Sequence, residues 1–204
     1  KRNPPDLTDG IRRFFSEHFS YYTRLPLREK EPFRQKVAMF SLATDFKPMV
    51  MPEVPNDVKA IASACAVQLS GAFEDFLYPQ FETVVVYPHP FPSPQYPEHI
   101  HLSETFEEDG VLLFSLDHLI KSFAEPHRYY NIGLHEYAKV FMLTYPDHPY
   151  PQFTDDIWGP LEEISQFSQE AIQNWINLPE IDPLPVSIAH FFVFPDRFKA
   201  VLPD

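Results

Sequence analysis

The stretch GLHEYAKVF, Gly133 to Phe141, starts as an H-E-x-x-H metal motif starts: His135 and Glu136 fill the first two places, and Lys139 stands where the second histidine belongs. In such a helix two imidazoles one turn apart hold Zn²⁺ from one side. The intervening glutamate, about 100° round the axis, serves as general base toward the metal-bound water. Lysine cannot replace the second imidazole, because an ammonium has three donors and no lone pair, and deprotonating it for a metal alone is costly at neutral pH. By itself a His-Glu pair also has a plain reading, a partly buried histidine hydrogen-bonded within a core helix.

Other side chains are candidates to complete a ligand set. His148 lies in the proline-rich segment YPDHPYPQ just after the motif and is placed to fold back toward it. His99 and His101, at i and i+2, fall on one face of a strand, a spacing able to hold a metal. Cys65 is the single cysteine, which excludes an internal disulfide and a cysteine-built zinc cage. It falls on the apolar stripe Val58, Ile61, Cys65, Leu69 and reads as a buried structural thiol. There is no G-x-S-x-G nucleophile motif, and Ser115 in LLFSLDH reads as the end of a strand.

Composition bounds what surrounds these residues. At 204 residues, 44% apolar and 16% aromatic, the chain suits one domain with one good core: residues 1–204 together, with 1–56 as an N-terminal helical part and 57–204 as the core. The 23 prolines against 5 glycines predict stiff surface loops, notably YPHPFPSPQYP, Tyr87 to Pro97. A net charge of −13 with scattered Lys and Arg argues against a nucleic-acid partner. No apolar run reaches the roughly 18 residues that cross a bilayer. The sequence opens on Lys1 rather than methionine, so an upstream signal, anchor or tag is not excluded, and cytoplasmic residence is the favoured expectation.

Apolar spacing predicts helices over Leu7 to Phe19, about Glu29 to Thr44, and Val58 to about Phe73, the last with the helix-favouring run KAIASACAV. Pro48 and Pro52 break the pattern between the second and third. FETVVVYP, Phe81 to Pro88, and GVLLFS, Gly110 to Ser115, read as strands, with an edge strand within 97–104 between them. Helices resume over 131–145, the motif helix, then Trp158 to Asn177 and Val186 to Phe194, with a short turn after Pro195. The fold class is therefore α+β, mostly helical, with one small sheet beside the motif helix.

Five segments in order carry a family resemblance: IASACAVQLSG, VVVYPHPF, EDGVLLFS, NIGLHEYAK and AHFFVFPDRFKAVLP. Over most of Asp57 to Asp204 the chain resembles the Mlc titration factor A family of zinc peptidases, relatives of the gluzincins and of the anthrax lethal factor catalytic domain. The resemblance implies a zincin-like metallopeptidase fold. It also implies that the fourth segment corresponds to N-x-x-L-H-E-F-A-H and the fifth to S-E-x-F-F-x-x-P, whose glutamate is the third zinc ligand in that family. Here that position is Ala189, and a methyl group binds no metal. His190 adjoins it, but one helical step turns a side chain by about 100°, so it is expected to point away. The resemblance thus leaves His135 as a vestigial ligand and Glu136 as a vestigial general base. The expected function is a catalytically inactive, metal-free pseudopeptidase that binds a protein or peptide, with a transcriptional regulator as partner by family analogy. The alternative is an active aminopeptidase-like enzyme whose zinc site is rebuilt from His148, His190, His99 or His101.

Overall fold

The computed structural model describes residues 5–93 and 95–203. Three helices come first: α1 (Asp9–His18), α2 (Ser20–Arg24) and α3 (Leu27–Ala43), followed by strand β1 (Asp45–Pro48) and helix α4 (Asn56–Ser70). The strands β2 (Thr83–Tyr87), β3 (Phe91–Pro92), β4 (Ile100–His101), β5 (Ser103–Phe106) and β6 (Val111–Ser115) come next. The remainder is helical: α5 (Leu116–Ala124), α6 (Ile132–Thr144), a 3₁₀ turn at Asp155–Ile157, α7 (Trp158–Ser165), α8 (Gln169–Ile176), α9 (Pro183–Val193) and α10 (Pro195–Val201). The α+β class expected from the sequence is therefore the one adopted.

The main sheet has the order β1-β2-β6-β5. The first three strands are parallel and β5 runs antiparallel to β6, with Ser103 opposite Phe114 and Thr105 opposite Leu112. Several boundaries differ from the sequence expectation for local reasons. Pro48 ends a strand instead of only breaking a pattern, because β1 lies at the sheet edge, where a missing N–H removes no ladder bond on the solvent side. The segment 97–104 divides in two: β4 pairs with β3 in a separate ribbon, and only β5 joins the main sheet. The helix expected from Trp158 to Asn177 is two helices, since Gln166 takes a left-handed φ of 66° and the Ser168 side chain caps α8 by accepting from the Ala171 N–H. α5 is an addition to the expectation, following β6 without a loop. α9 starts earlier than expected, at Pro183, because Asp182 caps it and proline is favoured in the first turn.

α6 is held from several sides, by α4, α5, α9 and β5. The alanine-rich face of α4 permits a close approach that glycine completes: a Cβ added to Gly133 would lie 2.6 Å from the Cys65 sulfur. Cys65 is fully buried there, and burial pushes its thiol pKa upward, as expected of a structural cysteine. Among the described residues no helix is long and apolar enough to cross a membrane.

Candidate functional site

α6 starts where the Asn131 side chain accepts a hydrogen bond from the Leu134 N–H at 2.9 Å. That cap sets the helix phase so that His135 and Glu136 both turn inward, at 2% and 0% exposure. The His135 Nδ1 lies 2.7 Å from the Tyr130 hydroxyl. Burial lowers the His135 pKa to about 4; the Glu136 charge opposes this and Lys139 adds to it. The ring is thus neutral at pH 7.

Glu136 has a complete set of donors. Ser103 Oγ donates to its Oε1 at 2.8 Å, while Thr105 Oγ1 at 2.6 Å and Lys139 Nζ at 3.1 Å both donate to Oε2. Ser103 and Thr105 are two apart on β5, so strand alternation turns both hydroxyls toward α6. Burial pushes this carboxyl pKa up, but Lys139, His135, Thr105 and Ser103 outweigh it and bring the pKa down to about 2. The Lys139 side chain is 30% exposed, and Glu136, three residues earlier on the helix, is its ion-pair partner. It makes no hydrogen bond to His135 among the described residues.

The sequence pattern of the glucose-regulated metallo-peptidase M90 family matches residues 2–141. The chain belongs to that family. This is the Mlc titration factor A family, so the resemblance drawn from the five motifs is correct, and the α+β arrangement is consistent with its zincin-like fold. The extent differs from the motif reading. The match takes in the N-terminal helices and ends inside α6, just past Lys139, whereas the C-terminal segment with Ala189 lies beyond it. No curated protein matches the chain.

In an M90 domain zinc is the expected metal, and the residues of this chain do not fit it. The position one turn after His135 carries an ammonium that already bonds Glu136. Ala189 on α9 is 1% exposed and belongs to the apolar core. Among the described residues no three of His, Cys, Asp and Glu come together as a metal-holding group.

The other histidines are dispersed. His148 stands against the Tyr150 ring and lines a separate groove of about 320 Å³, with Phe141 and Phe191, that contains neither His135 nor Glu136. His99 precedes the two-residue β4 and is exposed while His101 is 1% exposed; their rings stand edge to face with centroids 6.5 Å apart, and no third ligand among the described residues joins them. His190 is closer to the motif than a simple turn of the helix suggests. Its ring meets Tyr130 edge-on, with centroids 6.0 Å apart, and Tyr130 is the hydrogen-bond partner of His135. Burial, with a smaller contribution from His135, lowers the His190 pKa to about 3.

Three residues of this site escaped the sequence reading: Ser103, Thr105 and Tyr130. Hydroxyls two apart in HLSETF carried a signal, since an edge strand beside the motif helix presents alternate side chains to it. Tyr130 carried none, because its role depends on the turn before α6. His135 and Lys139 line a cleft of about 220 Å³ together with Glu107, Glu180 and Asp182.

Proposed function

We propose that this M90 domain is a metal-free pseudopeptidase that keeps the cleft of its family and acts by binding a protein or peptide partner. The observation that carries the reading is the Lys139 ammonium on Glu136 at 3.1 Å. A general base needs a free lone pair aimed at water. Here the carboxylate that would serve is held ionised by a cation and two hydroxyls, so its charge is balanced without a metal and its proton affinity is low. His135 as the remaining ligand offers one imidazole, far short of the three protein ligands of a catalytic zinc site. A transcriptional regulator is the partner class suggested by family analogy.

Elemental analysis of protein purified without chelator tests this directly. Well below one equivalent of zinc is expected, together with background hydrolysis of chromogenic aminoacyl substrates; near one equivalent, or chelator-sensitive hydrolysis, overturns the reading. The companion experiment restores ligands. Lys139→His with Ala189→Glu is expected to raise zinc affinity far more than the sum of the single changes, because each alone leaves the site one ligand short. Additive or absent gains would show that Ala189 does not face His135.

A further inference from the structure

The cleft beside α6 is rimmed by Glu107, Glu180 and Asp182 and floored by Met142, Leu178 and Ile181. No ion pair among the described residues uses any of the three rim carboxylates. Asp182 spends one oxygen on the α9 cap, accepting from the Leu184 N–H at 2.9 Å, and keeps its charge. Among the described residues the one cation lining the cleft is Lys139, which Glu136 already neutralises. The cleft therefore presents three uncompensated carboxylates above an apolar floor.

A second, independent feature points to an occupant. His135 is 2% exposed, it lines this cleft, and its Nδ1 is held by the Tyr130 hydroxyl. Nε2 is the ring nitrogen left for a ligand, and it has no partner among the described residues. The Tyr130 hydroxyl has no other partner among them either. Assigning the Tyr130 proton to Nδ1, its one partner among the described residues, leaves Nε2 carrying the N–H, a donor with no acceptor among the described residues.

Resting on the metal-free reading above, we propose that this cleft receives the side chain of a lysine or arginine from a peptide segment of the partner. The cationic head meets the rim carboxylates, the alkyl stem lies on Met142, Leu178 and Ile181, and the segment's carbonyl accepts from His135 Nε2. Long basic side chains suit such a place because they combine an apolar stem with a charged tip. The size agrees. At about 220 Å³ the cleft falls below the roughly 300–1,000 Å³ of sites for whole small molecules, which fits one side chain. The net charge of −13 adds long-range attraction for a basic partner.

The test compares two peptides on a sample whose zinc content has been measured. Acetyl-Ala-Arg-Ala-amide and its neutral citrulline counterpart are titrated into the purified chain, and the Met142 methyl and His135 ring resonances are followed by NMR. The arginine peptide is expected to move both signals and to bind at least about fivefold more tightly. Glu107→Gln with Glu180→Gln is expected to lower its affinity roughly tenfold, leaving the citrulline peptide and the melting temperature unchanged. Equal binding of the two peptides, no binding of the arginine peptide at millimolar concentration, or undiminished binding to the double variant would overturn the inference. Spermidine competing as tightly as the peptide would assign the cleft to a free polyamine and overturn the peptide occupant. A metal-free sample without arginine preference sinks this inference alone, whereas one equivalent of zinc sinks the pseudopeptidase reading whatever the peptides do.

Discussion

Glu104 and Glu136 are two buried glutamates served by the same strand in opposite ways. Glu136, at 0% exposure, receives the hydroxyls of Ser103 and Thr105 and the ammonium of Lys139. Glu104 sits between those two hydroxyl residues at 7% exposure, and neither of its oxygens has a partner among the described residues. Strand alternation is the reason: Ser103 and Thr105 turn toward α6, so Glu104 must turn away, beside Leu113 on β6. The contrast separates burial from design of a site. Both acids are desolvated, but only one has donors arranged to hold its charge, and that one occupies the base position of a metallopeptidase motif.

Removing the cation should produce the largest effect. Lys139→Met strands the Glu136 charge with only two neutral donors, and the expected loss is roughly 2–4 kcal/mol of unfolding free energy. Adding Glu136→Gln to that variant should recover most of the loss, since the uncompensated charge is gone. Urea denaturation of the single and double variants measures both. A loss below about 0.5 kcal/mol would mean that Glu136 is satisfied by its hydroxyls alone and would remove the distinction from Glu104.

Acid should weaken the same region in two stages. His135, His190 and His118 have folded pKa values of about 4, 3 and 4, below the ordinary 6.5, with burial the leading cause in each. Depressed histidine values stabilise the fold above pH 6.5, and that contribution is lost as pH falls toward the folded values. Glu136, lowered from 4.5 to about 2, contributes above pH 4.5 and loses its contribution between there and pH 2. Between pH 7.5 and 5.5 the buried His135 and His190 together should cost about 2–3 kcal/mol, and His118 about 1 kcal/mol more. Denaturation at the two pH values checks this, and His135→Gln should flatten the slope.

The smallest effect is expected at Glu104. Glu104→Leu removes two unpaired acceptors and places an apolar side chain across from Leu113, so stability should rise by about 1 kcal/mol. A thermal melt suffices to read the sign. A loss of similar size would mean that Glu104 has a partner that matters, which would make the two acids alike.

Much of this was legible from residue types and order. His135, Glu136 and Lys139 were readable because helical spacing alone decides which side chains stand one turn apart. Helical spacing put Lys139 within reach of Glu136 at i,i+3 but left open whether it pairs there or extends to solvent, and the structure decided for pairing. The ends of helices were less legible: Gln166 gives no warning of its left-handed φ, and Pro48 reads as a break unless its strand is known to be an edge. His99 and His101 do stand ring to ring, but only His101 lies in a strand, because strand length at that point is set by the ribbon partner, β3, and not by the local alternation.

What the sequence by itself determined is therefore the local chemistry: the motif helix, the family, and the lysine in place of a second imidazole. Contacts between elements were decided only by the tertiary structure. Ser103 and Thr105 reach Glu136 across 33 and 31 residues, and Tyr130 and His190 meet behind His135 because α9 packs on α6. The physical reason is range. Backbone periodicity fixes neighbours up to about four residues apart on a helix, while the partners of a buried polar group come from whichever elements the apolar core brings together, and many chain positions supply residues of the same type.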